Sequence, residues 1–445
     1  MKIFSYRYLP LNIYIGYSCF VILSLTLGPI EYKDLDYFVL IPFITILVLL
    51  FAFGFILGAR GEYRIDSFNL DVRSISAQRV SFFISTLLFF AVITSIAHWY
   101  SFLALGGKLN LGDIGANYVK GYEGYERGQA RVDVFYILNI FGQALITLAL
   151  LFSIYYYRTM GLLAKSAFCF ILITFILVNV VGSGKQKYLG DIVIFTFFCM
   201  LINFAAKGRK LNFRTFCVFG LIGLCVFFLF LEILRQRYLA AGIGLDNIHL
   251  KTHPLIEWDE SSLFFNLIGS EYTLALGIFL GYFSNGLYGL YLSLNLPFEW
   301  SYFVGNSYSI GRIVEIGLST DGFVLEQTYP YRVGEVYGWG FDKWHSLFAW
   351  LASDITFIGV LFLTPIFSFL YARLWLQAIK ASNPFAGPLF IYFSMGLIFS
   401  YANNQLMHGL AGVMVLLVLF VGWFFSRNLS FHNFLPGKAL CQREE

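Results

Sequence analysis

Apolar residues in this chain run in unbroken blocks, not in alternation with polar ones. Ten such blocks stand near 10–29, 37–58, 81–105, 133–156, 166–182, 188–206, 215–233, 346–371, 387–403 and 406–425. A run of ~20 apolar residues crosses a ~30 Å hydrocarbon core as a helix. Backbone groups in lipid must be satisfied within a helix or a closed barrel, and continuous runs favour the helix. The pattern predicts an all-α polytopic membrane protein with about 10 transmembrane helices. Seven spans fall in 1–233 and three in 346–425, with a large periplasmic segment at 234–345 between them and a tail at 426–445.

Composition agrees. Of 445 residues, 58% are hydrophobic and 13% charged, about half the ~25% charge of a soluble chain. Cys19, Cys169, Cys199, Cys217 and Cys225 lie in apolar blocks and Cys441 in the tail. They lack metal-site spacing and read as small core residues. The first apolar block is long and followed by others, so no cleavable signal peptide is expected. Nor is a nucleic-acid partner.

The placement of charge changes the picture more. The connections 59–80, 157–165, 207–214 and 372–386, with both ends of the chain, hold 17 of the 30 Lys and Arg. The positive-inside rule puts these in the cytoplasm, and with them both termini. The opposite side receives 106–132, a GSGKQK turn and 234–345. Within the last, 272-YTLALGIFLGYF-283 and 287-LYGLYLSLNL-296 are apolar but broken by glycine, and read as interfacial or re-entrant. No internal repeat supports an inverted-repeat transporter.

Basic residues kept on the outer side need a reason. In 179-NVVGSGKQKYLGDIVIF-195, Lys185 and Lys187 sit in a glycine-rich turn before a helix N-terminus. Free N–H groups and the positive dipole end there suit a phosphate; snorkelling lysines in a tight turn are the plainer alternative. In 232-EILRQRYLAAG-242, Arg235 and Arg237 leave the seventh span. Two apart on a helix, they point about 200° from each other, so one is expected to pair with Glu232 or the helix to end between them. Arg312 and Arg332 stand among Tyr308, Tyr329 and Tyr331, a mixture that suits a sugar. Asn403, Asn404, Gln405 and His408 form a polar turn between the last two spans. Either could equally be ordinary loop structure.

His345 opens the run 341-FDKWHSLFAWLASDITFIGVLFL-363, and Asp354 lies inside it. A histidine at a helix N-terminus should be neutral near pH 7 and could serve as a general base. On a straight helix Asp354 is about 180° around and roughly 13 Å deeper, so it is expected to pair with another helix in the bundle interior. If His345 is not the base, the exterior carboxylates Glu271, Glu315, Asp321, Glu326 and Glu335 are the next candidates.

At these residues the chain resembles the bacterial O-antigen polymerases, and more distantly the O-antigen ligases. The resemblance is carried by 344-WHSLFAWLASDITFIG-359, by the GSGKQK turn, and by ten or so spans with one large outer segment in the second half. It departs from the family in having lysines where arginine is common and Asp354 where glutamate is often found. The resemblance implies a polysaccharide-polymerising glycosyltransferase of the bacterial inner membrane, using an undecaprenyl-diphosphate-linked oligosaccharide. His345 would be the base, Lys185, Lys187, Arg235 and Arg237 the diphosphate ligands, and Arg312, Arg332, Tyr331, Asn404 and His408 the sugar or acceptor contacts. A metal-independent mechanism without cofactors is expected, on the reading that the outer face carries no Asp-x-Asp. Membrane lipids and a polysaccharide chain-length regulator are the expected partners. The competing readings are an O-antigen ligase, a transporter or flippase of lipid-linked oligosaccharides, and a scaffold without chemistry.

Overall fold

The computed structural model describes residues 6–60, 70–104, 107–109, 114–115, 117–119, 134–208, 213–244, 247–248, 253–259, 262, 270–320 and 322–426. The expectations for 61–69, most of 106–132, 209–212, Asp321, the side chain of Glu271 and the tail from 427 lie outside the described residues.

Each expected span is helical over most of its length. In chain order these are α1 Leu9–Leu27, α2 Tyr37–Arg60, α3 Leu70–Ala104, α4 Val134–Tyr156, α5 Leu162–Thr174, α6 Lys187–Ala206 and α7 Phe213–Ala240. Residues 234–345 add α8 Ser270–Leu294, α9 Tyr308–Leu318 and α10 Tyr329–Tyr337, followed by α11 Leu347–Lys380, α12 Ala386–Phe399 and α13 Leu410–Phe425. The one described sheet pairs β1 Ile30–Tyr32 antiparallel to β2 Ile256–Trp258, with Ile30 opposite Trp258. Among the described residues eight helices are long and apolar enough to cross a membrane, so this is a multi-pass membrane protein.

The chain forms two compact units. The first comprises 1–63, 245–376 and 393–413; the second comprises 64–244, 377–392 and 414–445.

In the first unit small residues let helices approach closely. A Cβ at Gly54 of α2 would lie 2.1 Å from the Pro365 carbonyl of α11, and one at Gly58 2.5 Å from that of Phe369. Dispersion and close backbone approach hold helices together where lipid offers no hydrophobic drive. Tyr401 donates to Ser18 Oγ at 2.8 Å and lies 3.3 Å from the Tyr14 hydroxyl.

α8 was expected to be interfacial or re-entrant, yet it is a continuous 25-residue helix and long enough to span. Its surroundings set it apart. It is 83% buried over its most apolar window, against 22–50% for the other seven. The glycines along 277–289 face connections between helices, while Phe283 packs against Tyr17 and Phe20 of α1, ring centroids 5.9 and 6.3 Å apart. Gly277 faces Pro29 and Trp258, Gly281 faces Ile30, Gly286 faces Tyr401 and Ala402, and Gly289 faces Trp344 and His345. Tyr32 donates to Ser284 Oγ at 2.7 Å and Asn285 Oδ1 at 2.6 Å.

α11 is two helices joined at Thr356, whose φ of 66° and ψ of 164° are non-helical. A positive φ is an outlier for a β-branched residue. The Thr356 hydroxyl accepts from the Gly359 amide at 3.1 Å and so caps the second half. Exposed apolar side chains begin only beyond this break, with Ile358 at 67%, Phe362 at 73% and Ile366 at 66%. The straight-helix premise therefore fails. Residues 347–355 are a separate short helix, and the lipid-facing stripe starts after it.

In the second unit α3 to α6 pack around aromatic and polar cross-links. Trp99 Nε1 donates to Thr174 Oγ1 at 2.9 Å, and His98 meets Asn179 at 3.3 Å. Tyr156 donates to the Pro384 carbonyl at 2.9 Å. α5 passes into a π-helical stretch, Phe175–Gly182, that leads into the glycine-rich turn. Such wide turns recur at functional positions.

Candidate functional site

The two basic stretches of the second unit meet on one residue, Tyr118. Gly184 has φ +66°, and a Cβ there would lie 2.7 Å from Tyr118 Cβ and 2.9 Å from the Ile114 carbonyl. Only glycine accepts both that backbone and that approach. On the other side of the same short segment, a Cβ at Gly115 would lie 2.5 Å from the Gln236 carbonyl. The Arg237 guanidinium stacks over the Tyr118 ring, 3.3 Å from its centroid. Asn117 Nδ2 donates to the Val181 carbonyl at 3.0 Å. Residues 114–115 and 117–119 thus lie between the lysine-bearing turn and the end of α7.

The four cations there differ in what holds them. Arg235 donates to Glu232 through Nε and Nη2, both at 2.9 Å, and Gln236 donates to the same carboxylate at 3.0 Å. The pairing considered for this stretch is present, and it leaves Arg237 as the arginine on the ring. Lys185 and Lys187 are exposed, and no described carboxylate lies within ion-pair distance of either. Although the Lys185 side chain is exposed, protein crowding around its ammonium, then the like charge of Lys187, lowers its pKa. Between them Gln186 is 3% exposed, and neither polar atom of its side chain has a hydrogen-bond partner. A buried amide in that state is rare in folded proteins and calls for an explanation. Tyr118 is absent from the sequence-based set of residues; the only signal for it is an aromatic ring within an outer loop.

His345 belongs to the first unit. It is 1% exposed. Its Nε2 lies 3.0 Å from the Gly340 carbonyl, which can only accept, so Nε2 carries the proton and Nδ1 the lone pair. Nδ1 is buried without a hydrogen-bond partner, beside Gly289 of α8. Burial lowers the imidazole pKa to about 4. The ring is neutral, as expected, but burial rather than a helix dipole is the main cause. The start of α11 is occupied: Ser346 Oγ accepts from Ala349 N at 3.3 Å, and Leu347 N donates to the Ser400 carbonyl at 2.8 Å.

Asp354 corrects a second expectation. Its carboxylate pairs with no helix of the bundle interior. It accepts from Ser301 Oγ at 2.6 Å, Gly305 N at 3.0 Å, Asn306 N at 2.8 Å and Asn306 Nδ2 at 2.7 Å. This clamp holds a loop in which Tyr302 and Phe303 both have left-handed φ, 59° and 62°. Left-handed aromatic residues are strained and persist only where surrounding contacts dictate them.

The expected sugar contacts fall into two groups. Asn404 is fully buried; it donates to the Asn306 carbonyl at 2.5 Å and accepts from Met407 N at 3.2 Å. Arg332 donates to the Pro297 carbonyl at 2.7 Å and pairs with Glu299 at 2.8 Å. Arg312 reaches Glu315 at 3.2 Å, whose carboxylate also accepts from Val324 N and Leu325 N. All three shape the segment itself. Tyr331 and His408 lie instead in an aromatic cluster with Tyr308, Phe341 and Trp350, ring centroids 5.2–5.9 Å apart. Partial burial, then the carboxylates of Glu326 and Glu335, raise the pKa of the Tyr331 phenol. Both glutamates are exposed.

The chain matches no family model, no curated protein and no solved structure. Among the described residues no group of three His, Cys, Asp or Glu could hold a metal ion. The connection between α1 and α2, which the charge pattern reads as outer, does contain an Asp-x-Asp, Asp34-Leu35-Asp36, contrary to the expectation of none on that face. Asp36 uses Oδ1 to accept from Phe38 N at 2.8 Å, at the start of α2.

Proposed function

We propose that this chain is a membrane glycosyltransferase that polymerises undecaprenyl-diphosphate-linked oligosaccharide repeat units at the outer face of a bacterial inner membrane. Both termini are cytoplasmic in this reading. The observation that carries it is the meeting of Arg237 and the Gly184 turn on Tyr118. Two cationic stretches about fifty residues apart come to one place, on the side where the positive-inside rule disfavours cations. The buried, unpartnered amide of Gln186 between the two lysines supports a ligand there.

In the reaction the acceptor hydroxyl oxygen bonds to sugar C1 as the C1–O bond to the diphosphate breaks. The diphosphate leaves with the electron pair, and the acceptor proton passes to a base. Lys185, Lys187 and Arg237 offset the charge that develops on the leaving group. Arg235, held by Glu232, orders the end of α7. Among acids and bases of the first unit, His345 offers a neutral ring with a fixed tautomer and an unengaged Nδ1. Glu326 and Glu335 beside Tyr331 are the alternative, favoured by their exposure. α8 lies along the outer surface in this reading, with Phe283 against α1, because the connections its glycines face are those the charge pattern places outside.

A strain lacking the gene, examined by lipopolysaccharide gel, tests the proposal. A polymerase deletion keeps one repeat unit on the core and loses the ladder. Loss of every repeat with lipid-linked polymer accumulating means ligase, and unflipped single units mean flippase.

A further inference from the structure

The second unit holds a cavity of about 380 Å³, apart from the residues around Tyr118. It lies between the end of α4, the turn 157–159, the second half of α6 and the turn at 381–383. Its floor is apolar, with Phe168, Met200 and Ile202. Most of its polar walls are already engaged. Tyr156 donates to Pro384 O at 2.9 Å, Thr159 to Tyr156 O at 2.8 Å, and Asn383 Nδ2 to Trp423 O at 3.0 Å. Arg158 is the exception: it is exposed, and no described carboxylate pairs with it. The exposed Tyr157 ring beside it carries a second cation, Lys165, 5.2 Å from its centroid.

We infer that this cavity binds the phosphate and first chain segment of an anionic membrane lipid. The volume falls within the ~300–1,000 Å³ of small-molecule sites. An apolar floor with cations at the mouth fits an amphiphile with one negative head. Arginine grips a phosphate through two parallel N–H donors, and Tyr157 offers the amphipathic ring that settles at headgroup level. The cavity stands at the end of the helices that carries the basic connections, Arg158 and Lys165 among them. This is the leaflet where anionic headgroups meet juxtamembrane cations. Arg158 also follows the C-terminal end of α4, where a cation is favourable in any case, so the test reads binding and not stability.

The lipid phosphate could come from a bulk phospholipid or from a polyprenyl carrier. Native mass spectrometry of the full-length protein in detergent, titrated separately with phosphatidylglycerol, undecaprenyl phosphate and phosphatidylcholine, distinguishes them. At least one anionic lipid should form a saturable adduct, and phosphatidylcholine should bind far less. Arg158→Glu should weaken that adduct by about tenfold or more, the scale of one charge-assisted contact. Arg158→Lys, which keeps the charge but loses the paired donors, should weaken it less than Arg158→Glu does. Whichever anionic lipid binds identifies the source. Equal binding of phosphatidylcholine, no adduct with either anionic lipid, or an unchanged adduct in Arg158→Glu would overturn the inference.

Discussion

Arg237 lays its guanidinium over the ring of Tyr118, 3.3 Å from the ring centroid. A cation over an aromatic face is worth about 0.5–2 kcal/mol, more when desolvated. If that stacking aims Arg237 at a diphosphate, Tyr118→Phe should keep turnover within about twofold, because the π face remains. Tyr118→Ala should lower it by about 3- to 30-fold at equal protein level. Equal turnover in both variants and wild type would mean that Tyr118 does not position Arg237.

Asp354 acts through the loop it holds. Asp354→Asn removes the charge and replaces one acceptor oxygen with a donor, facing the buried amides of Gly305 and Asn306. Losing two charge-assisted bonds should cost about 3–6 kcal/mol. The expected signs are a lower yield of folded protein and faster protease cleavage within 301–306. Turnover per folded molecule should change less than yield. A variant with normal yield and an intact loop but no turnover would place Asp354 in the chemistry instead.

The buried His345 makes stability depend on pH. Its folded-state pKa, about 4, lies below the usual 6.5, so the folded chain binds fewer protons than the unfolded chain between those values. The stabilising balance is complete above pH 6.5 and is lost as pH falls towards 4. The loss should amount to roughly 3 kcal/mol. Melting temperature measured from pH 8 to 4 should fall more steeply for wild type than for His345→Gln. Parallel curves would show that His345 is solvated.

The orientation of α8 decides which side carries 295–346. If α8 lies along the outer surface, Val336→Cys, at an exposed position, should react with a membrane-impermeant thiol reagent from outside. Lys380→Cys should stay protected until the membrane is opened. The reverse pattern would mean that α8 crosses the bilayer and that the last three spans run the other way.

The spans were legible because lipid imposes length and continuity on every crossing helix. What the chain does between spans was less so. The partners of Asp354 lie 48–53 residues away in sequence, and no local period announces a carboxylate that clamps a distant loop. The break at Thr356 was hidden because apolar residues continue on both sides of it. Lys185, Lys187 and Arg237 stood out as cations on the side the charge pattern reads as outer. Tyr118, on which Arg237 and the Gly184 turn pack, did not, since an aromatic residue in a loop carries no signal until the chain folds around it. α8 was ambiguous for a physical reason: an apolar helix buried by protein has the composition of one buried by lipid.

The proposed role of Arg237, Lys185 and Lys187 is to hold the departing diphosphate. Its most direct test is in vitro polymerisation by purified protein on a synthetic lipid-linked repeat unit, normalised to folded enzyme. Arg237→Ala and the double variant Lys185→Ala, Lys187→Ala should each slow turnover by about 10- to 200-fold, the effect of losing one charge-assisted contact, while Lys185→Arg should be tolerated better. In the same assay His345→Ala should lose about 10²- to 10⁴-fold if His345 is the base; if it does not, Glu326 and Glu335 are the next to test. Full-length chains at wild-type rate from both cation variants, expressed at normal levels, would contradict the account.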